Sequence, residues 1–147
     1  MPGKVFGNDT GITMVAAGLG SVGSYQMSGI PFATSSLTVP VNSAAPLQIS
    51  FPYVAKFVTV VNESTAPAPA LRVGFSVLGV SGSGTNYFLL DSGESYTGDW
   101  RIEDIYLISN SAAQTSASII AGLTPIPRGV PSFVSTGNNW SGSSGVG

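Results

Sequence analysis

The chain has 147 residues, of which five are basic and seven acidic, for a formal net charge of −2 at neutral pH, and it contains no histidine or cysteine. Charged residues make up 8% of it, against about 25% in ordinary soluble domains. This composition excludes disulfide frameworks, Cys/His zinc sites, thiolate nucleophiles and histidine bases, and five cations cannot line a phosphate-binding groove, so no direct nucleic-acid contact is expected.

The hydrophobic fraction of 43% is too high for a disordered chain, and the length suffices for one domain with a buried core. No run approaches the ~18 unbroken apolar residues of a transmembrane helix. Residues 1–30 read as an N-terminal arm, punctuated by Gly3, Gly7, Gly11, Gly18, Gly20, Gly23 and Gly29. Its richest apolar stretch, Ile12 to Val22, follows only Lys4 and Asp9, so no secretory signal is expected. A β-domain spans 31–128. Ser36–Val39 and Leu47–Phe51 are short β-prone runs bounded by Pro40, Pro46 and Pro52, and Tyr53–Val61 is a longer, β-branched one. Asn62 to Pro69 has loop composition.

Leu71–Leu78 alternates apolar residues (Leu71, Val73, Phe75, Val77) with Arg72, Gly74 and Ser76, the period of a half-buried strand. Gly79–Gly84 reads as a hairpin turn, Asn86–Leu90 as the returning strand and Asp91–Glu94 as a tight turn. Trp100–Ser109 predicts a strand apolar on both faces or bulged, because Ile105 and Leu107 interleave with Ile102, Tyr106 and Ile108. Ser116–Leu123 is the last strand, ended by Pro125 and Pro127, and residues 129–147 form a flexible Gly/Ser-rich C-terminal tail. The expected fold is an all-β sandwich or jelly roll of about eight strands.

Motifs with chemistry are weak. Gly18-Leu-Gly-Ser-Val-Gly23 matches a dinucleotide fingerprint but lacks the following helix and the downstream acid. Five of the seven acids (Asp91, Glu94, Asp99, Glu103, Asp104) crowd into residues 91–104. They lack calcium-loop spacing, and neighbours such as Glu103 and Asp104 point to opposite strand faces. No Gly-x-Ser-x-Gly elbow is present. No catalytic, cofactor or metal site is expected, and the chain reads as a non-enzyme. Asn8, Asn62 and Asn139 head N-x-[ST] triplets. Phe75, Tyr87, Phe88, Trp100 and Tyr106 read as strand packing, whereas Tyr53, Tyr96 and Trp140 are candidate exposed contacts. They keep open an alternative: a glycan-binding β-sandwich module on a particle or cell surface.

The succession Lys56-Phe-Val-Thr-Val-Val-Asn62, Leu71-Arg-Val-Gly-Phe-Ser-Val77, Asn86 to Glu94, Arg101-Ile-Glu-Asp-Ile-Tyr-Leu107 and Ser116 to Thr124 resembles the vertex (penton) capsid proteins of large icosahedral double-stranded DNA viruses, of the chlorella-virus and nucleocytoplasmic type. The resemblance covers roughly residues 50–127. It implies a single jelly roll that assembles as a homopentamer and closes the fivefold vertices. The double jelly-roll major capsid protein, and minor capsid proteins, would be its neighbours, and its location would be the virion, assembled in the host cytoplasm. On that reading the arm, with Val5, Phe6, Ile12, Met14 and Val15, reaches a neighbouring subunit, and low charge suits flanks packed between subunits.

Overall fold

In a computed structural model, residues 28–129 are described. They form seven strands and one helical turn: β1 (Ile30–Val39), β2 (Leu47–Asn62), β3 (Leu71–Gly74), α1 (Val77–Val80), β4 (Tyr87–Leu90), β5 (Ser95–Gly98), β6 (Ile102–Ser109) and β7 (Thr115–Pro127). All pairings are antiparallel, in the order β1-β7-β2-β6-β3-β4 with β5 on β2.

One strand belongs to two rows. The first part of β2, Leu47–Ser50, pairs with β6. Its last part, Val58–Val61, lies between β5 and β7. The strands therefore fall into a first row, β1-β7-β2-β5, and a second, β2-β6-β3-β4, with β2 passing from one to the other. Register shifts between Ser50 and Ala55 on the β6 side, and at Tyr53, Ala55 and Phe57 on the β7 side, mark the crossing. Pro52, expected to separate two strands, sits inside this interval. Its missing N–H costs little there, because the ladder is already interrupted.

The two rows face each other across one core. Phe51, Val58, Val60, Ile119, Ala121 and Leu123 of the first row meet Leu71, Val73, Leu90, Ile105 and Leu107 of the second. Phe51 is fully buried, and Phe32 of β1 meets its ring edge to face at 5.2 Å. From Ile105 to Ile108, β6 is apolar on both faces. Ile105 and Leu107 enter the core, while Tyr106 and Ile108 form a small outer cluster with Val80 of α1 and Tyr87.

Other expectations need correction. The strand expected over Leu71–Leu78 stops at Gly74, because Ser76 caps α1 with its Oγ accepting from the Gly79 N–H at 3.0 Å. Gly74 cannot be other than small, since a Cβ there would lie 2.3 Å from Val80 Cγ1. Val77 continues the sequence alternation but, like Leu78 after it, stands exposed. β5 was not foreseen, its Ser-Tyr-Thr-Gly composition giving little apolar signal. β7 runs on through Pro125 to Pro127 instead of ending at Leu123, because its β1 side is unpaired beyond Leu123.

Asn62, at the end of β2, joins four segments. Its fully buried side chain donates to the carbonyls of Leu90 (3.0 Å) and Pro69 (3.4 Å) and accepts from Ser64 N (3.1 Å) and Thr115 Oγ1 (3.2 Å). Its own N–H donates to the Glu94 carbonyl and its carbonyl accepts from Gly93 N, both at 2.9 Å. This engagement removes Asn62 as a glycosylation acceptor in the folded chain. Asn62→Asp places a carboxylate that cannot donate to Leu90 or Pro69, and each orphaned group costs about 1–3 kcal/mol. Urea unfolding should show a loss of about 3 kcal/mol, with the m-value unchanged; a loss below about 0.5 kcal/mol would contradict the role assigned to Asn62.

Candidate interaction face and aromatic-rimmed cavity

Strands β1, β5 and β7 contain no charged residue, and β2 contains only Lys56. Register converts this composition into a surface. Ala33, Ile120, Thr59 and Thr97 lie opposite one another across β1, β7, β2 and β5, on the face away from the core. Ser118, Val61 and Ser95 make the next rung. Ile120 is 51% exposed, and the Thr59 and Thr97 hydroxyls share a hydrogen bond at 2.7 Å. The Phe57 ring lies against Gly122, where a Cβ would come within 2.2 Å of it. The rungs of this outer face, from Ala33 to Thr97 and from Ser118 to Ser95, are thus small, polar-neutral or apolar, and uncharged. This face is bordered by β1, an uncharged strand with one edge unpaired among the described residues and a register shift between Thr34 and Leu37, where Ser36 has φ 55°. Uncharged edges of this kind invite pairing with another chain.

The outer face of the second row differs. Arg72 donates to Asn110 Oδ1 (2.7 Å) and the Val80 carbonyl (3.1 Å) and lies over the Tyr87 ring at 4.6 Å. Asp104 accepts from Gln48 Nε2 (3.2 Å) and pairs with Arg128 at 3.1 Å. Arg128 also donates to the carbonyls of Phe51 and Glu103, each at 2.8 Å, tying the end of β7 back across β2 and β6. Glu103 is buried and accepts from the Gly129 N–H.

The aromatic side chains Phe75, Phe88, Tyr96 and Trp100 close the side of the sandwich where β4 and β5 approach. Phe75 meets Trp100 edge-on at 4.9 Å, Phe88 lies 5.3 Å from Tyr96, and Tyr96 and Trp100 are near-parallel at 5.9 Å and 21°. The Trp100 ring rests on Gly98, where a Cβ would sit 2.1 Å from it. Beside Trp100 opens a cavity of about 410 Å³ lined by Lys56, Asp99, Trp100 and Arg101.

Of the residues singled out from sequence, Tyr53 is 42% and Tyr96 52% exposed, but the structure does not bring them together. Tyr53 lies opposite Pro127, and Tyr96 opposite Val60 much farther along β2. Val5, Phe6, Ile12, Met14, Val15 and Trp140 lie outside the described residues, as do Gly18–Gly23, Asn8 and Asn139. Sequence reading assigned Trp100 to strand packing and so missed the cavity. The available signal was an aromatic between opposite charges in Asp99-Trp100-Arg101. Glu94 serves its own turn, accepting from the Asp91 N–H at 2.8 Å. Among the described residues, no group of three or more His, Cys, Asp or Glu could hold a metal ion, and no helix is long and apolar enough to cross a membrane.

No protein-family model matches the chain, and no curated protein matches it.

The Tyr106 phenol is pushed above its ordinary value of 10.0, first by burial and then by the Asp104 carboxylate, with Arg128 opposing. Its folded pKa exceeds the unfolded one, so its contribution is fully present below pH 10 and is lost as pH rises above it. Melting temperature should hold from about pH 8 to 10 and then fall, and Tyr106→Phe should make that alkaline fall shallower.

Proposed function

We propose that this chain is a structural capsid subunit: a vertex (penton) protein that assembles as a homopentamer and closes the fivefold vertices of an icosahedral double-stranded DNA virus particle. Its work on this reading is geometric rather than catalytic, and its location is the virion. The observation that carries the reading is the uncharged outer face of the first row. A surface of Ala33, Ile120, Thr59 and Thr97 forgoes the interspersed charge that keeps a free monomer soluble. It suits burial against a copy, where unpaired charge would carry a desolvation cost.

The strand pairings support the reading. A first row β1-β7-β2-β5 against a second row β2-β6-β3-β4 gives eight strand positions from seven strands, with β2 filling adjacent places in both. We read this arrangement as a single jelly roll. In a closed ring each flank meets a different flank of the next copy, so the uncharged face would meet the neighbouring subunit. The charged second row, bearing Arg72, Asp104 and Arg128, is left for solvent or for a bordering double jelly-roll capsid protein.

Charge placed on the first row tests this directly. Ile120→Arg and Ala33→Glu should leave the circular dichroism spectrum and the unfolding free energy within about 0.5 kcal/mol of the parent. Each should raise the concentration for half-assembly, followed by sedimentation velocity, by at least about a hundredfold, as expected for an unpaired charge in an interface. Leu89→Arg, on the exposed outer face of the second row, should assemble like the parent. Unchanged assembly in both first-row variants would remove the basis of the proposal.

A further inference from the structure

The two long sides of the sandwich are closed differently. Where β4 and β5 approach, Phe75, Phe88, Tyr96 and Trp100 pack together. On the opposite side, β1 and the Leu47–Ser50 part of β2 each have one edge unpaired among the described residues. Ile30, Phe32 and Leu37 stand opposite Leu123, Ala121 and Ala117, so they lie on the core-facing side of β1. Yet Ile30 is 50% exposed, and Phe32 and Leu37 are only partly buried. The core is left open along this edge, with Phe32 against Phe51 as its one aromatic contact among the described residues.

The end of β7 is fixed near this opening. Arg128 donates to the carbonyl of Phe51, whose ring meets Phe32, and the Gly129 N–H donates to the buried Glu103 carboxylate. Gly129 has φ 86°, a conformation common where a chain turns back. The residues that follow, Val130-Pro-Ser-Phe-Val134, are apolar except for Ser132, and the Gly/Ser/Asn composition begins only at Ser135. Extended chain advances about 3.3 Å per residue, so Phe133 and Val134 reach about 13–17 Å from Gly129. Leu123, the partner of Ile30, lies about 13 Å back along β7 from Pro127. We propose that Val130–Val134 folds back over the open side of its own subunit, with Phe133 seated on Ile30 and Phe32. A segment tethered this closely meets the β1 edge at an effective concentration on the order of millimolar. It thereby withholds an uncharged edge from strands of other chains and leaves the outer face through Ala33 and Ile120 free.

This cover is independent of pentamer formation. The chain has no cysteine, so a pair introduced into the full-length protein reports a single contact. Ile30→Cys is combined with Ser132→Cys, which keeps Phe133 and Val134, and separately with Thr13→Cys in the amino-terminal arm. Oxidation is followed by mass under denaturing, non-reducing conditions. The expected result is a bond between positions 30 and 132 within one chain, formed about tenfold faster than the bond between positions 30 and 13. In a second measurement, Phe133→Ser should speed amide hydrogen exchange over Ile30–Leu37 by about tenfold and leave β3 unchanged. A faster bond to position 13 would assign the open side to the arm and overturn the proposal. A bond that links only separate chains would assign it to another copy, with the same consequence. Unchanged exchange over β1 in Phe133→Ser also overturns it.

Discussion

The structure depends on one strand being shared by two rows. β2 pairs in register with β6 through Ser50, meets it once more at Ala55 after a register shift, and from Val58 to Val61 lies between β7 and β5. Phe51, at the crossing, is fully buried between the rows. Both faces of the core are therefore hung on one continuous backbone, and the rows cannot separate without breaking β2 ladders on both sides. Asn62 closes the far end by holding the 62–69 loop, the end of β4, the Asp91–Glu94 turn and the start of β7 in one buried network. Arg128 closes the opposite end, binding the Phe51 and Glu103 carbonyls. A polar group stands at each end and an apolar core between.

The β class was legible because alternation survives wherever one face is buried and the other wet, as at Leu71 and Val73 and along Ile119, Ala121 and Leu123. Double-sided burial of β6 was legible as one of two options, and α1 resolved it by covering Tyr106 and Ile108. The failures have physical causes. Pro52 and Pro125 are strand breakers only where a ladder bond is needed, and register shifts and unpaired edges remove that need. The alternation at Val77 gave way because a serine cap and a close glycine turned the chain. β5 carries almost no apolar residues, since its position is set by pairing with Val58–Val61. The cavity at Trp100 was invisible for a similar reason. It is formed by Lys56, distant in sequence, meeting Asp99-Trp100-Arg101, and no local pattern encodes that meeting.

Charge scarcity first reads as a property of the whole chain, but the fold sorts it. The rungs across β1, β7, β2 and β5 carry none, the second row's outer face carries ion-paired or ring-stacked residues, and the cavity is lined by Lys56, Asp99, Trp100 and Arg101. An uncharged face costs solubility in a free monomer and favours close packing of copies. On the proposed reading, assembly would follow from where the few charges were placed rather than from how few there are.

The most direct measurement is the native mass of the full-length parent chain across a concentration series. The account requires a closed ring of five copies that persists on dilution until subunits separate cooperatively. A monomer at every concentration, with the uncharged face of β1, β7, β2 and β5 still open to solvent, would contradict it.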